Sequence, residues 1–275
     1  MINETKRNVQ LEILIATMNR TNFDFLKSMF SKNDFTDLHL LIINQTSPGT
    51  ELVSTHNNIR VINSYEKGIS KSRNLAIANA QGKYCLITDD DVLFETKFYE
   101  RIISGHQNLN AEIITFQTRT TKGRPYWSYP QNGDLSKSLL SKVLSIEISF
   151  KREQIQKAQI TFNELFGLGA EFEDSESYLF LREALLERNL TGKHIPEVIA
   201  VHPEVSSSDD VTSDRYIHAR AALSYKLYGR FSYFYVFKLL FSLFRKGLIK
   251  FNEIAPKYKV AQKSIKRYRS LQYAN

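Results

Sequence analysis

The chain has 275 residues, 42% of them hydrophobic and 24% charged, a make-up that fits a globular protein with a sizeable core and excludes a disordered or low-complexity chain. Its single cysteine, Cys85, excludes an internal disulfide framework and suits a reducing compartment. The net charge of +8 is uneven: residues 226–275 hold twelve Lys and Arg against one acid, Glu253, a net of +11 that leaves −3 on the rest. The opening, MINETKRNVQ, is polar and lacks the apolar stretch of a secretory signal, so a cytoplasmic location is expected.

LEILIAT (11–17) is a short apolar run closed by polar residues, the pattern of a buried strand. A helical stretch follows near Asn22–Ser31. LHLLIIN (38–44) predicts a second strand ending on the turn-rich QTSPGT, and IRVIN (59–63) a third. SKSRNLAIANAQG (70–82) predicts a helix with Ser70 as N-cap and Gly82 as stop. KYCLIT (83–88) is the next strand and runs into Asp89-Asp90-Asp91. TKGRPYWSYPQNGD (121–134) predicts a loop and LSIEISFK (144–151) another strand. FNELFGLGAEF (162–172) carries two glycines around Leu168. DSESYLFLREALLERN (174–189) predicts a helix with Tyr178, Leu181 and Leu185 as its apolar stripe, and IPEVIAVHP (195–203) a late strand ending at His202-Pro203.

Strands alternating with helices predict an α/β fold, a mostly parallel sheet with helices on its faces. In such sheets the ligand lies beyond the carboxyl ends of the strands. Thr17-Met18-Asn19-Arg20, Asn44-Gln45-Thr46 and Asp89-Asp90-Asp91 all fall at such ends, so the architecture brings them to one rim. Three adjacent carboxylates repel one another, and a hard divalent cation relieves that repulsion while binding phosphate oxygen. Alternate residues of a strand point the same way, so Asp89 and Asp91 are able to share one ion. A solvated acidic turn is the plainer alternative.

Four motifs in order now carry a resemblance. EKGISKSRNLAIANAQGKYCLITDDD (66–91) resembles the donor-binding half of family 2 glycosyltransferases, which have the GT-A fold. ATMNRTN (16–22) resembles their opening strand and nucleotide loop. FGLGAEFEDSESYLFLREAL (166–185) resembles their acceptor loop and acidic motif, and IPEVIAVHP (195–203) the segment bearing a C-terminal histidine.

The resemblance implies an inverting transferase that moves a sugar from a nucleotide-sugar, a UDP-sugar first among them, to a saccharide or lipid-linked saccharide in bacterial surface-polysaccharide synthesis. It implies Mn²⁺ or Mg²⁺ on Asp89, Asp91 and His202. Thr17, Asn19, Arg20, Asn44, Gln45, Asp89 and Asp90 would touch the nucleotide-sugar, with Lys71 and Arg73 facing its diphosphate. A carboxylate must deprotonate the acceptor hydroxyl. Aligned through Gly167-Leu168-Gly169-Ala170, Glu176-Ser177 falls where the family often has Glu-Asp, so Glu176 is the expected base and Asp174 the second candidate; Asp174 also suits a helix N-cap. Asn44-Gln45 replace an aspartate common after the second strand, which leaves dTDP- and GDP-sugars open.

The expected organisation is a GT-A domain over 1–225, its donor half about 9–120 and its acceptor half about 121–205, followed by a basic aromatic helical extension over 226–275. Within FSYFYVFKLLFSLFRKGLIKF (231–251), Lys238, Ser242 and Arg245 share one helical seam among aromatics and leucines. The pattern suits a helix in the interface of an anionic membrane, which places the protein at the inner face of the cell membrane; a helix docked on the domain is the alternative. A sugar-nucleotide nucleotidyltransferase is a second enzyme reading, opposed by the absence of glycine in ATMNRTN. A non-catalytic nucleotide- or nucleic-acid-binding protein is a third, and the acidic body opposes nucleic acid.

Overall fold

The computed structural model describes residues 9–131, 133–203 and 210–272. Residues 1–8, Asn132 in the expected loop, 204–209, the first two of which close the expected acceptor half, and 273–275 lie outside the described residues. Two units divide the chain. Among described residues the first holds 9–163 and 177–203, and the second 164–176 and 210–272.

The first unit is built around three strands, Leu11–Met18, His39–Gln45 and Tyr84–Asp89, buried on both faces as a sheet covered on both sides requires. Its strands are β1 (Leu11–Met18), β2 (His39–Gln45), β3 (Ile59–Ser64), β4 (Tyr84–Asp89), β5 (Leu93–Phe94), β6 (Ile113–Thr120), β7 (Gly133–Asp134), β8 (Ile148–Lys151) and β9 (Gly192–His202). The sheet runs β3-β2-β1-β4-β8-β6-β9-β5, with β7 paired to β9. Strands β3, β2, β1 and β4 are parallel, and so are β6 and β9; β8 is antiparallel to both its neighbours. Alternate β1 side chains go to opposite faces. Leu11, Ile13 and Ile15 join the core beneath α1 (Asp24–Met29) and α3 (Phe98–Asn108), while Leu14 joins the one beneath α2 (Ile69–Asn79), α5 (Arg152–Lys157) and the Phe180-Leu181 part of α6 (Glu176–Arg182).

Three local expectations need correction. Ser70 is not the N-cap of α2: the helix begins at Ile69 after Gly68, whose φ is 122°, and Ser70 is buried inside the first turn. Gly82 does not stop that helix, which ends at Asn79. A Cβ at Gly82 would lie 2.7 Å from both the Glu12 Cβ and the Tyr84 carbonyl oxygen, so the glycine serves a close approach of backbone to β1. LSIEISFK is not all strand: Ser145–Glu147 is a 3₁₀ turn, and β8 starts at Ile148.

The second unit holds three helices, α7 (Asp214–Tyr228), α8 (Ser232–Arg245) and α9 (Phe251–Gln272), around a core of Ile217, Ala221, Val236, Leu240, Leu243, Ala261 and Ile265. Segment 164–176 belongs with them. Phe172 stacks on His218 at 4.9 Å and lies 5.6 Å from Tyr268. The structural division therefore differs from the expected boundary at 225/226, because α7 and a loop remote in sequence share the helical core. Among the described residues no helix is long and apolar enough to cross a membrane.

Candidate functional site

The register of the first unit brings the three polar strand ends together. Ala16 pairs with Asp89, Thr17 with Asn44 and Met18 with Gln45. At this rim the Thr17 hydroxyl donates to Asp90 at 2.5 Å, and Arg20 donates from Nε at 2.7 Å and lies within 2.6 Å through its terminal nitrogen. Asn19 sits exposed in the left-handed region at φ 55°, which asparagine tolerates well; its N–H donates to the Gln45 carbonyl at 2.7 Å.

Asn44 and Gln45 reach the rim as supports. Asn44 is fully buried; its amide accepts from the Arg20 N–H at 3.0 Å and donates to the Arg20 carbonyl at 2.9 Å and to Asn63 at 3.0 Å. Gln45 is 8% exposed and accepts from the Gly68 N–H at 2.9 Å, tying the start of α2 to β2. Both amides therefore fix the loops that carry Arg20 and α2.

Arg73, buried on α2, donates to Asp89 at 3.0 Å and to the Ser145 hydroxyl at 2.7 Å, with its guanidinium 5.4 Å from the Phe162 ring centre. Ser145 stands on the 3₁₀ turn, which Glu147 anchors by accepting from the Leu144 N–H at 3.0 Å and from the Tyr129 hydroxyl. Burial pushes the Glu147 carboxyl up to about 7. Lys71 is on the same helix and pairs with Glu66.

Asp91 faces His202: Nε2 lies 3.7 Å from the carboxylate. Nδ1 of the same ring is 2.9 Å from the Pro203 carbonyl. A carbonyl accepts only, so Nδ1 donates to it, and Nε2 is the ring nitrogen that faces Asp91. The chain around Asp91 desolvates its carboxyl and raises its pKa; His202 opposes this, and the Asp89 and Asp90 charges add to it. Among the described residues no three His, Cys, Asp or Glu side chains gather as a metal-holding group. The expected trio of Asp89, Asp91 and His202 is thus a pair, because Asp89 is bonded to Arg73. An Asp carboxylate beside an imidazole whose other nitrogen is fixed by a carbonyl does fit a divalent ion that takes its remaining oxygens from a diphosphate. Against His202 lies Tyr126, ring centres 5.7 Å apart, and next to it Trp127, 38% exposed.

The acidic segment of the second unit is sorted by its partners. Glu171 is paired with Arg267 at 2.8 Å, and Glu173 lies 3.6 Å from Arg215 and accepts from the Gly169 N–H at 3.2 Å. Gly167 and Gly169 have φ of 100° and 76°, the conformations expected of a glycine loop. Asp174 is half-buried. Burial raises its pKa, Arg220 pulls it down and Glu176 pushes it up. Glu176 opens α6, so the residue before the helix is Ser175, at φ 72°, and Asp174 is not its N-cap. The sequence reading missed Ser145, Glu147 and Tyr129, although one acid inside an apolar strand-like run was a signal. It also placed Trp127 in a loop without a role.

Solved structures share this fold. Residues 1–349 of S. aureus TarS superpose with a TM-score of 0.61 at 13% identity, over 94% of this chain and 81% of that one. The same fragment in complex with UDP-GlcNAc gives 0.60 at 13%, over 92% and 79%, and in complex with UDP 0.54 at 14%, over 95% and 92%. At such identity the likeness shows the fold alone, which is GT-A. No curated protein sequence matches the chain. The family model described as glycosyl transferase family 2 matches residues 13–171, more than half of the sequence and all of the rim but His202, and the chain belongs to that family.

Proposed function

We propose that the protein is an inverting, metal-dependent glycosyltransferase that moves a sugar from a UDP-sugar to a saccharide or lipid-linked saccharide acceptor in the synthesis of a bacterial surface polysaccharide. The single observation behind this reading is the in-register rim, where Thr17, Arg20, Arg73 and the three aspartates converge on ends of parallel strands. The complexes of TarS with UDP-GlcNAc and UDP support the choice of nucleotide.

Arg20 and Arg73 supply positive charge at the rim for a diphosphate. Asp91 and His202 would hold Mn²⁺ or Mg²⁺, which when bound neutralises charge on the departing nucleoside diphosphate. Asp174 takes the proton of the acceptor hydroxyl. The acceptor oxygen bonds to the anomeric carbon as the bond from that carbon to the phosphate oxygen breaks, and the electron pair leaves with UDP. Asp174 is preferred to Glu176 because burial raises its carboxyl, the direction that suits a base working near neutral pH. Trp127 beside Tyr126 offers a flat apolar face for a sugar ring. A peripheral contact of 226–275 with an anionic leaflet at the cytoplasmic face completes the reading, since a lipid-linked acceptor resides there.

A donor screen tests it: UDP-sugars should be hydrolysed or transferred when Mn²⁺ is present. Turnover of none of the UDP-, dTDP- or GDP-sugars, with no thermal stabilisation by their nucleoside diphosphates, would contradict it.

A further inference from the structure

Helix α8 has two opposed faces, and among the described residues only one has a partner within its unit. Ser232, Val236, Leu240 and Leu243 are buried against the helical core. At about 100° per residue, Phe234, Phe237 and Phe241 fall on the opposite side. They are 65%, 52% and 46% exposed, and Phe231 before them and Phe251 after are exposed as well. The rings form a chain: Phe237 to Phe241 at 6.3 Å, Phe241 to Phe244 at 6.3 Å and Phe244 to Phe251 at 5.8 Å. A continuous patch of exposed aromatic rings marks an interaction surface.

The charges beside the patch select its occupant. Lys238 and Arg245 lie exposed on one flank of the stripe, and Arg230, Lys246 and Lys250 are exposed at its ends. Helix α8 contains no acid. A two-fold contact with a second copy through this stripe would set the same cations against each other. Hydrocarbon below a layer of anionic headgroups accepts the rings and the cations together.

We propose that the outward stripe Phe234-Phe237-Phe241, flanked by Lys238 and Arg245, is the surface that seats this protein on an anionic lipid bilayer. It deepens the membrane part of the functional reading and rests on it. It also narrows that reading: the leucines of α8 are packed inward, so insertion is confined to the phenylalanine stripe and is shallow.

The test is co-sedimentation of the full chain with vesicles of phosphatidylcholine alone or mixed with phosphatidylglycerol, beside light scattering in vesicle-free buffer. The wild type should sediment with the anionic vesicles. The variant F234S/F237S/F241S should bind at least about tenfold more weakly, and K238E/R245E should lose its preference for anionic over neutral vesicles. Donor hydrolysis in solution should be unchanged in both variants, which shows that they fold; hydrolysis reads the enzymatic assignment apart from the membrane. Equal sedimentation of wild type and triple variant overturns the proposal. So does a dimer that the triple variant abolishes, or absence of wild-type binding to either vesicle while hydrolysis persists.

Discussion

Asp174 and Glu176 lie two residues apart in different surroundings. The first is half-buried with Arg220 as its counter-charge, and the second opens α6. General-base catalysis is worth about 10²–10⁴-fold. Asp174→Asn should therefore lower kcat by about that factor while UDP affinity by calorimetry stays unchanged; Glu176→Gln should cost less than about tenfold. A reversed order would return the role of base to Glu176. Arg73 reaches Asp89 and the Ser145 hydroxyl at once, which the single ammonium of a lysine does not reproduce. Arg73→Lys should weaken UDP binding roughly tenfold and reduce stability by about 1–3 kcal/mol in urea titration, because the buried Ser145 hydroxyl loses its partner. Unaltered affinity would show that Arg73 serves the sheet alone.

At the scale of elements, the 3₁₀ turn Ser145–Glu147 links core to site. Glu147 is raised by burial from an ordinary 4.5 to about 7, so between those values the folded chain keeps a proton that the unfolded chain has released. The stability this contributes is full below about pH 4.5 and is lost as pH rises through about 7, an effect on the order of 3 kcal/mol. Urea titrations from pH 5 to pH 8 should show this decline in the wild type and a flatter profile in Glu147→Gln; parallel profiles would refute the assignment. At the turn before β4, Gly82→Ala should cost about 1–3 kcal/mol through its clash with Glu12 and Tyr84, read from the same titration. The strands were legible because LEILIAT and KYCLIT are apolar runs with polar ends, and their ends gave the rim. The 3₁₀ turn was not legible: its apolar pattern matches a strand, and one of the two bonds that hold Glu147 comes from Tyr129, remote in sequence. Nor was the work of Asn44 and Gln45 as loop supports, since an amide at a strand end looks the same whether it faces a ligand or the backbone.

Across the whole molecule, the charge divides into a mildly acidic body and a basic end of net +11. Sequence composition located that division at 226, but the helical unit also takes in α7 and 164–176. Local periodicity carries no record that Phe172 stacks on His218 and Tyr268, so the true grouping needed tertiary contacts. The central claim is that the rim of the first unit binds a nucleoside diphosphate together with a divalent ion on Asp91 and His202. Calorimetric titration of UDP into the wild type and Asp91→Asn, each with Mn²⁺ and with chelator, tests it most directly. Mn²⁺ should tighten UDP binding by about tenfold or more in the wild type and have little effect in Asp91→Asn, a loss in metal affinity of the kind that follows removal of a ligand. Equal UDP affinity with Mn²⁺ and with chelator in the wild type would contradict the account.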